Sequence, residues 1–269
     1  MKRQKKYQLA IFILSLVVIA QGVIIALISR PAKRPPPKPA APPVVIPAVK
    51  GKIAIVLDDW GYNLYNLAAA KEIGYPLTIA VLPDLSFSGK VAEELNNKGC
   101  EIILHLPMEP REEMSLEKNT ILSSMSAGDI ATILGNDLEA IPHVRGISNH
   151  MGSKATSDPH IMQLVFEEIR RRKLYFLDSF VTADSVCAEL AKKNKIGFAQ
   201  RDIFLDNKLD EEYIKGQLSK LKAKAKSRGF AIGIGHDRKI TIKVLKEMMP
   251  RLRKEGYKFV FVSDLVKKY

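Results

Sequence analysis

The chain has 269 residues, enough for one α/β domain with a sizeable core plus an appendage, and its 42 Lys and Arg against 29 Asp and Glu give a formal charge of +13. That charge does not describe a nucleic-acid-binding domain, because nine of the basic residues and none of the acidic ones fall in residues 1–50, leaving a nearly balanced 33 against 29. Cys100 and Cys187 form neither a CxxC pair nor a zinc-finger spacing, and both read as small core residues.

In chain order, a basic start is followed by 20 uncharged residues, 9–28, broken only by Ser15, Gln21 and Gly22. As a helix this run spans about 30 Å, the thickness of a bilayer's hydrocarbon core. The nearest approach to a small-x-small cleavage site is Ala40 and Ala41, which are adjacent and followed by Pro42. Residues 1–30 therefore read as an uncleaved, single-pass anchor in the cytoplasmic membrane, with the rest of the chain facing the periplasm or cell exterior. The flanking charges are nearly balanced, with Lys2, Arg3, Lys5 and Lys6 before the span and Arg30, Lys33, Arg34 and Lys38 after it. Residues 31–50 are proline-rich without apolar periodicity and read as a stiff polyproline spacer.

Residues 51–269 alternate short β-rich runs with amphipathic stretches. The runs at 52–57, 77–82, 101–106, 146–148, 174–177, 197–200, 230–234 and 258–262 read as strands. Helices are expected at 64–73, 87–98, 127–140, 159–172, 185–193, 211–228 and 240–255. Ser126 with Asp129 makes a capping box, Asp158-Pro159 an N-cap followed by a first-turn proline, and 110–126 a long loop. Strict strand-helix alternation implies parallel strands, and seven or eight of them favour a distorted (β/α) barrel. In such a fold the carboxyl ends of the strands form the ligand-binding rim.

Those ends carry an unusual set of residues. IAIVLDDWG closes the first strand with Asp58 and Asp59, followed by Trp60. Later ends carry His105, then Asn149 and His150, then Asp178, Arg201 with Asp202, and finally His236. An acidic pair alone is an ordinary turn, and any one histidine here is an ordinary hydrogen-bonded residue. Together they could supply one carboxylate and two nitrogens to a metal with an open position. His143 and His160 sit away from strand ends and read as solvent-facing. Trp60 either stacks on a ligand or closes the core.

These residues resemble the polysaccharide deacetylases, in particular their divergent bacterial branch, over about 52–265. The resemblance makes Asp58 the general base and Asp59 a metal ligand, and it implies a divalent ion, most simply zinc. GCEIILHLPMEP runs in register with the family's GxEIxxHxxxHP strand, so His105 matches the first metal-binding histidine while Glu109 stands where the second would be. The third ligand is therefore His150 or Glu109. The family's Arg-x-Pro-x-Gly motif is absent, and Arg201 is the substitute for orienting the base. GIGH resembles the motif of the acid histidine, His236, with Asp202 or Asp178 tuning it. The implied reaction is hydrolysis of acetyl groups on a cell-envelope or peptidoglycan-like carbohydrate, with Trp60, Asn149 and Asp178 as substrate contacts and no nucleic-acid partner. The lost histidine and arginine motif leave a second expectation, a tethered glycan- or partner-binding protein without turnover. A phosphoacceptor receiver domain would be about 120 residues with fewer strand-end histidines, and this chain does not match it.

Overall fold

The computed structural model describes residues 2–29 and 49–269, so the proline-rich spacer lies, apart from its last two residues, outside the described part. The chain divides into two units, Met1–Ile46 and Pro47–Tyr269. The first holds helix α1 (Lys2–Ile28), basic in its opening turns and beyond them apolar on every side rather than along one stripe. Within it, Gln4–Ile28 is long and apolar enough to cross a membrane.

The second unit begins with β1 (Gly51–Trp60), α2 (Leu67–Lys71), β2 (Thr78–Val81), α3 (Ser88–Asn96) and β3 (Glu101–Met108). Then follow α4 (Ala127–Ala140), β4 (Val144–Met151), α5 (Pro159–Arg171), β5 (Tyr175–Asp178), α6 (Cys187–Lys193) and β6 (Phe198–Gln200). The chain closes with β7 (Ile203–Phe204), α7 (Glu211–Arg228), β8 (Phe230–His236), α8 (Lys239–Lys254) and β9 (Tyr257–Val260). All eight expected strands are present. The addition is β7, whose two residues are too short to carry a periodic signal. Both expected N-caps form: Ser126 accepts from the Asp129 N–H, and Asp158 accepts from the N–H groups of His160 and Ile161.

The strands run in the order β6-β5-β4-β3-β2-β1-β8-β7, every pair parallel. β9 pairs Gly51–Ala54 of β1, and β2 pairs its other half from Val56 to Trp60. The two ends of the order, β6 and β7, are consecutive in sequence. Between them the Arg201 N–H donates to Asp178 O at 3.0 Å and the Asp202 N–H donates to Ile232 O at 2.8 Å. Two residues thus step from one edge of the sheet to the other, and the sheet is a curled, open barrel as expected.

Side chains alternate across this sheet. Ile53, Ile55 and Leu57 of β1 point outward into a core shared with the helices, while Ala54 and Val56 point inward to meet Ala80, Ile103, Leu177, Ile232 and Ile234. Inward parity carries on to Asp58, His105, His150 and His236 at the strand ends.

Asp137 breaks this pattern on the helical side. It lies on the apolar stripe of α4 with Ile130 and Leu134, buried, with neither carboxylate oxygen hydrogen-bonded. Burial, reinforced by Asp84, pushes it up to about 7. Because the folded value exceeds the unfolded one, the native state holds the extra proton, and stability falls as pH rises from about 4 through 7. Asp137→Asn is expected to cut that loss by roughly 1–3 kcal/mol, read as the difference in urea unfolding free energy between pH 5 and pH 8.

Candidate functional site

The site is set by an irregularity at the end of β1. Leu57 pairs with Ile79 and Trp60 with Val81, so three steps on β1 face two on β2, and one residue is extra. Asp59 takes up the excess with φ of 65°, a left-handed conformation that is uncommon outside glycine and gathers at functional sites. Strict alternation would turn Asp59 outward and Trp60 inward. The bulge reverses both, bringing Asp59 beside Asp58 on the inner rim and burying Trp60 completely among the helices. Trp60 is therefore a core residue and offers no face to a ligand.

Asp59 Oδ1 lies 3.3 Å from His105 Nε2 and 3.1 Å from His150 Nδ1, and the two imidazole rings meet edge to face at 5.0 Å. One ligand atom from each of Asp59, His105 and His150 lies within 4.8 Å of the others. On its far side His105 Nδ1 bonds Ser148 Oγ at 2.8 Å, which fixes the ring and leaves Nε2 facing the carboxylates. Buried inside the cluster, His150 Nε2 and Asp58 Oδ1 have no hydrogen-bond partner. Two imidazoles, a carboxylate and unpartnered buried atoms form a donor set that fits a divalent ion of the zinc type.

The electrostatics separate the two acids. Burial pushes Asp58 up to about 6, only partly countered by His105, whose Nε2 is 3.6 Å away. Asp59 is also desolvated, but hydrogen bonds from both histidines hold it far below the ordinary carboxylate range. His105 is raised: burial works against its charge, and the Asp58 and Asp59 carboxylates outweigh burial.

Across the strand pair, Asp58 stands in register with His236. Asp206 holds that histidine, and the motifs did not point to it. Asp206 Oδ1 is 2.7 Å from His236 Nδ1, and Oδ2 accepts from the His236 N–H at 2.9 Å and the Thr241 hydroxyl at 2.6 Å. Burial opposes both charges, yet the pair keeps Asp206 low and His236 high. Gly235 makes room, since a Cβ there would come within 2.9 Å of Thr241 Cγ2 and 3.5 Å of Asp206 Oδ2.

The matching family model, divergent polysaccharide deacetylase, covers residues 55–266. The chain belongs to that family. It is 36% identical over 206 residues to the uncharacterized protein YibQ of Escherichia coli (strain K12), an alignment covering 77% of this chain and 65% of YibQ. The chain thus spans just under two thirds of that relative's length. A crystal structure of the uncharacterized protein ATU2773 from Agrobacterium tumefaciens C58 superposes with a TM-score of 0.77 at 23% identity, covering 82% of this chain and 91% of that one. The Bc1960 peptidoglycan N-acetylglucosamine deacetylase superposes at 0.51 with 13% identity, over 81% and 89% of the two chains.

In this chain the residue in the second-histidine position, Glu109, is not among the clustered ligand atoms. Its Oε1 accepts from Lys154 Nζ at 2.7 Å, and Oε2 accepts from the Ser123 N–H and hydroxyl at 2.6 Å each. Glu109 knots the 110–126 loop to the turn after β4, and those donors take three of its carboxylate's acceptor sites. Asp202 also corrects an expectation. It accepts from Arg228 and from the Ile232 N–H, four residues down β8 from His236, a distance of about 13 Å. Four residues along, Asp206 reaches the level at which Asp202 was expected.

Three further expected residues have structural partners instead. Arg201 donates from Nε to Ser179 O at 2.6 Å and from Nη2 to Phe180 O at 2.7 Å, lies 3.6 Å over the Phe204 ring, and makes no hydrogen bond to Asp58. Asp178 closes its own turn, accepting from the Phe180 N–H and the Ser185 hydroxyl. Buried Asn149 staples β4 to the segment after β5 through Ser179. His143 and His160 are exposed, His143 pairing with Glu93. Tyr62, two residues past the bulge and overlooked in the sequence, is half exposed, bonds Glu117 of the long loop, and feels the Asp59 charge.

Proposed function

We propose that this chain is a metal-dependent hydrolase that removes acetyl groups from a cell-envelope carbohydrate of the peptidoglycan-like class. The observation that carries the reading is the convergence of Asp59, His105 and His150 beside the unpartnered Asp58 carboxylate, one strand from the His236–Asp206 pair. The Bc1960 fold likeness agrees with an N-acetylated glycan as substrate class.

Asp59, His105 and His150 would hold the metal. When bound, a divalent ion, zinc by its donor set, supplies Lewis acidity toward water and an acetyl carbonyl. Asp58 accepts the proton of the attacking water; its raised affinity for protons suits a base working near neutrality. His236, its affinity for a proton raised by Asp206, donates to the departing amine or alcohol. Tyr62 supplies the aromatic face beside Asp59 that Trp60 cannot. Helix α1 serves as a single-pass anchor in the cytoplasmic membrane, with the domain facing the periplasm or cell exterior.

One feature favours the second reading, glycan binding without turnover: among the described residues no arginine hydrogen-bonds Asp58. Acetate release from acetylated chitooligosaccharides and peptidoglycan fragments separates the two. Chelation of the full chain is expected to abolish release and zinc to restore it. Tight glycan binding by zinc-loaded protein with no acetate formed would leave the binding reading.

A further inference from the structure

The end of the barrel opposite the rim carries a second built feature. A cavity of about 490 Å³ opens where β4, β5 and β6 begin. Five cations line it, Arg145, Arg170, Lys173, Lys195 and Lys268, along with the chain's last residue, Tyr269, and no Asp or Glu. All five side chains are exposed, and none has a carboxylate within ion-pairing distance among the described residues. Glu168, on the same helix as Arg170, is engaged by Arg171 and Arg172. The adjoining cavity holds one acid, Glu101, which is buried and accepts from Thr78 and Tyr175. Five like charges crowded on a folded surface, with the Tyr269 α-carboxylate as the one anion in the lining, are electrostatically costly and favour an anionic partner.

The chain's path favours one kind of anion. Strands run parallel, so Gly51, the start of β1, lies at this same end of the sheet as the starts of β4, β5 and β6. In sequence, the residues before Gly51 lead back to the apolar run of α1. The cations therefore lie at the same end of the sheet as the start of β1, the part of the domain that follows the apolar run in sequence. We propose that this basic face docks on anionic phospholipid headgroups, seating headgroup phosphates among the five cations. The proposal rests on the reading of α1 as a membrane anchor and not on the hydrolase reading.

The test uses the full chain in nanodiscs, either of phosphatidylcholine alone or with phosphatidylglycerol added, followed by amide hydrogen exchange. Segments 170–175, 193–198 and 263–269 are expected to exchange roughly tenfold more slowly in the anionic discs, as when nine molecules in ten are docked. In 1 M salt, where charges are screened beyond about 3 Å, the difference should vanish. The triple variant Arg145→Glu, Arg170→Glu, Lys195→Glu should lose it too, while Lys90→Glu with Lys239→Glu, at the rim ends of α3 and α8, should keep it. Equal exchange in both discs would overturn the proposal, as would equal loss in the rim variant. Protection produced in phosphatidylcholine discs by inorganic phosphate or soluble polyphosphate, without anionic lipid, would overturn it in favour of a free anion.

Discussion

Replacing His236 with alanine is expected to slow acetate release by roughly 10²- to 10⁴-fold, the usual worth of a positioned general acid, without lowering metal content. Asp206→Asn gives the more discriminating result. The carboxylate holds the His236 ring through Nδ1 and raises its proton affinity. A neutral amide removes that charge, so His236 loses its proton at lower pH and the alkaline limb of the rate profile moves down. A purely structural Asp206 would lower the amount of folded enzyme without moving the limb. An unchanged limb together with an unchanged rate would remove the pair from the mechanism.

The second large effect concerns the third ligand. His150→Ala is expected to weaken zinc binding by more than about a hundredfold, beyond the 10- to 100-fold cost of losing an outer hydrogen-bond partner of a metal ligand. Glu109→Gln should leave zinc affinity within a few-fold, because that carboxylate is engaged by Lys154 and Ser123 and lies outside the Asp59–His105–His150 cluster. Competition titration against a chromogenic chelator measures both. The reverse ranking would move the metal toward the 110–126 loop.

The histidines were legible in the sequence because alternation is a strong rule: His105 and His236 sit two residues beyond inward-facing Ile103 and Ile234. Trp60 stayed open between stacking on a ligand and closing the core, because the one-residue bulge that swaps the two faces and puts it in the core leaves no compositional mark. Asp206 was missed for a related reason. It follows a strand of two residues, Ile203–Phe204, so nothing in the local pattern showed that the chain there runs beside β8 up to His236. Glu109 aligned with a metal-ligand position, but its partners Lys154 and Ser123 are 45 and 14 residues distant in sequence. Local period fixed the strand ends, and long-range hydrogen bonds decided which of their side chains remain available for chemistry.

The most direct test of the central claim is to measure bound zinc and acetate release in the same samples of the full chain and its Asp58→Asn variant, with an N-acetylglucosamine-containing peptidoglycan fragment as substrate. One zinc per chain in both proteins, with acetate release reduced at least about a hundredfold in the variant, is the expected result. Equal rates of acetate release in the two zinc-loaded proteins would contradict it.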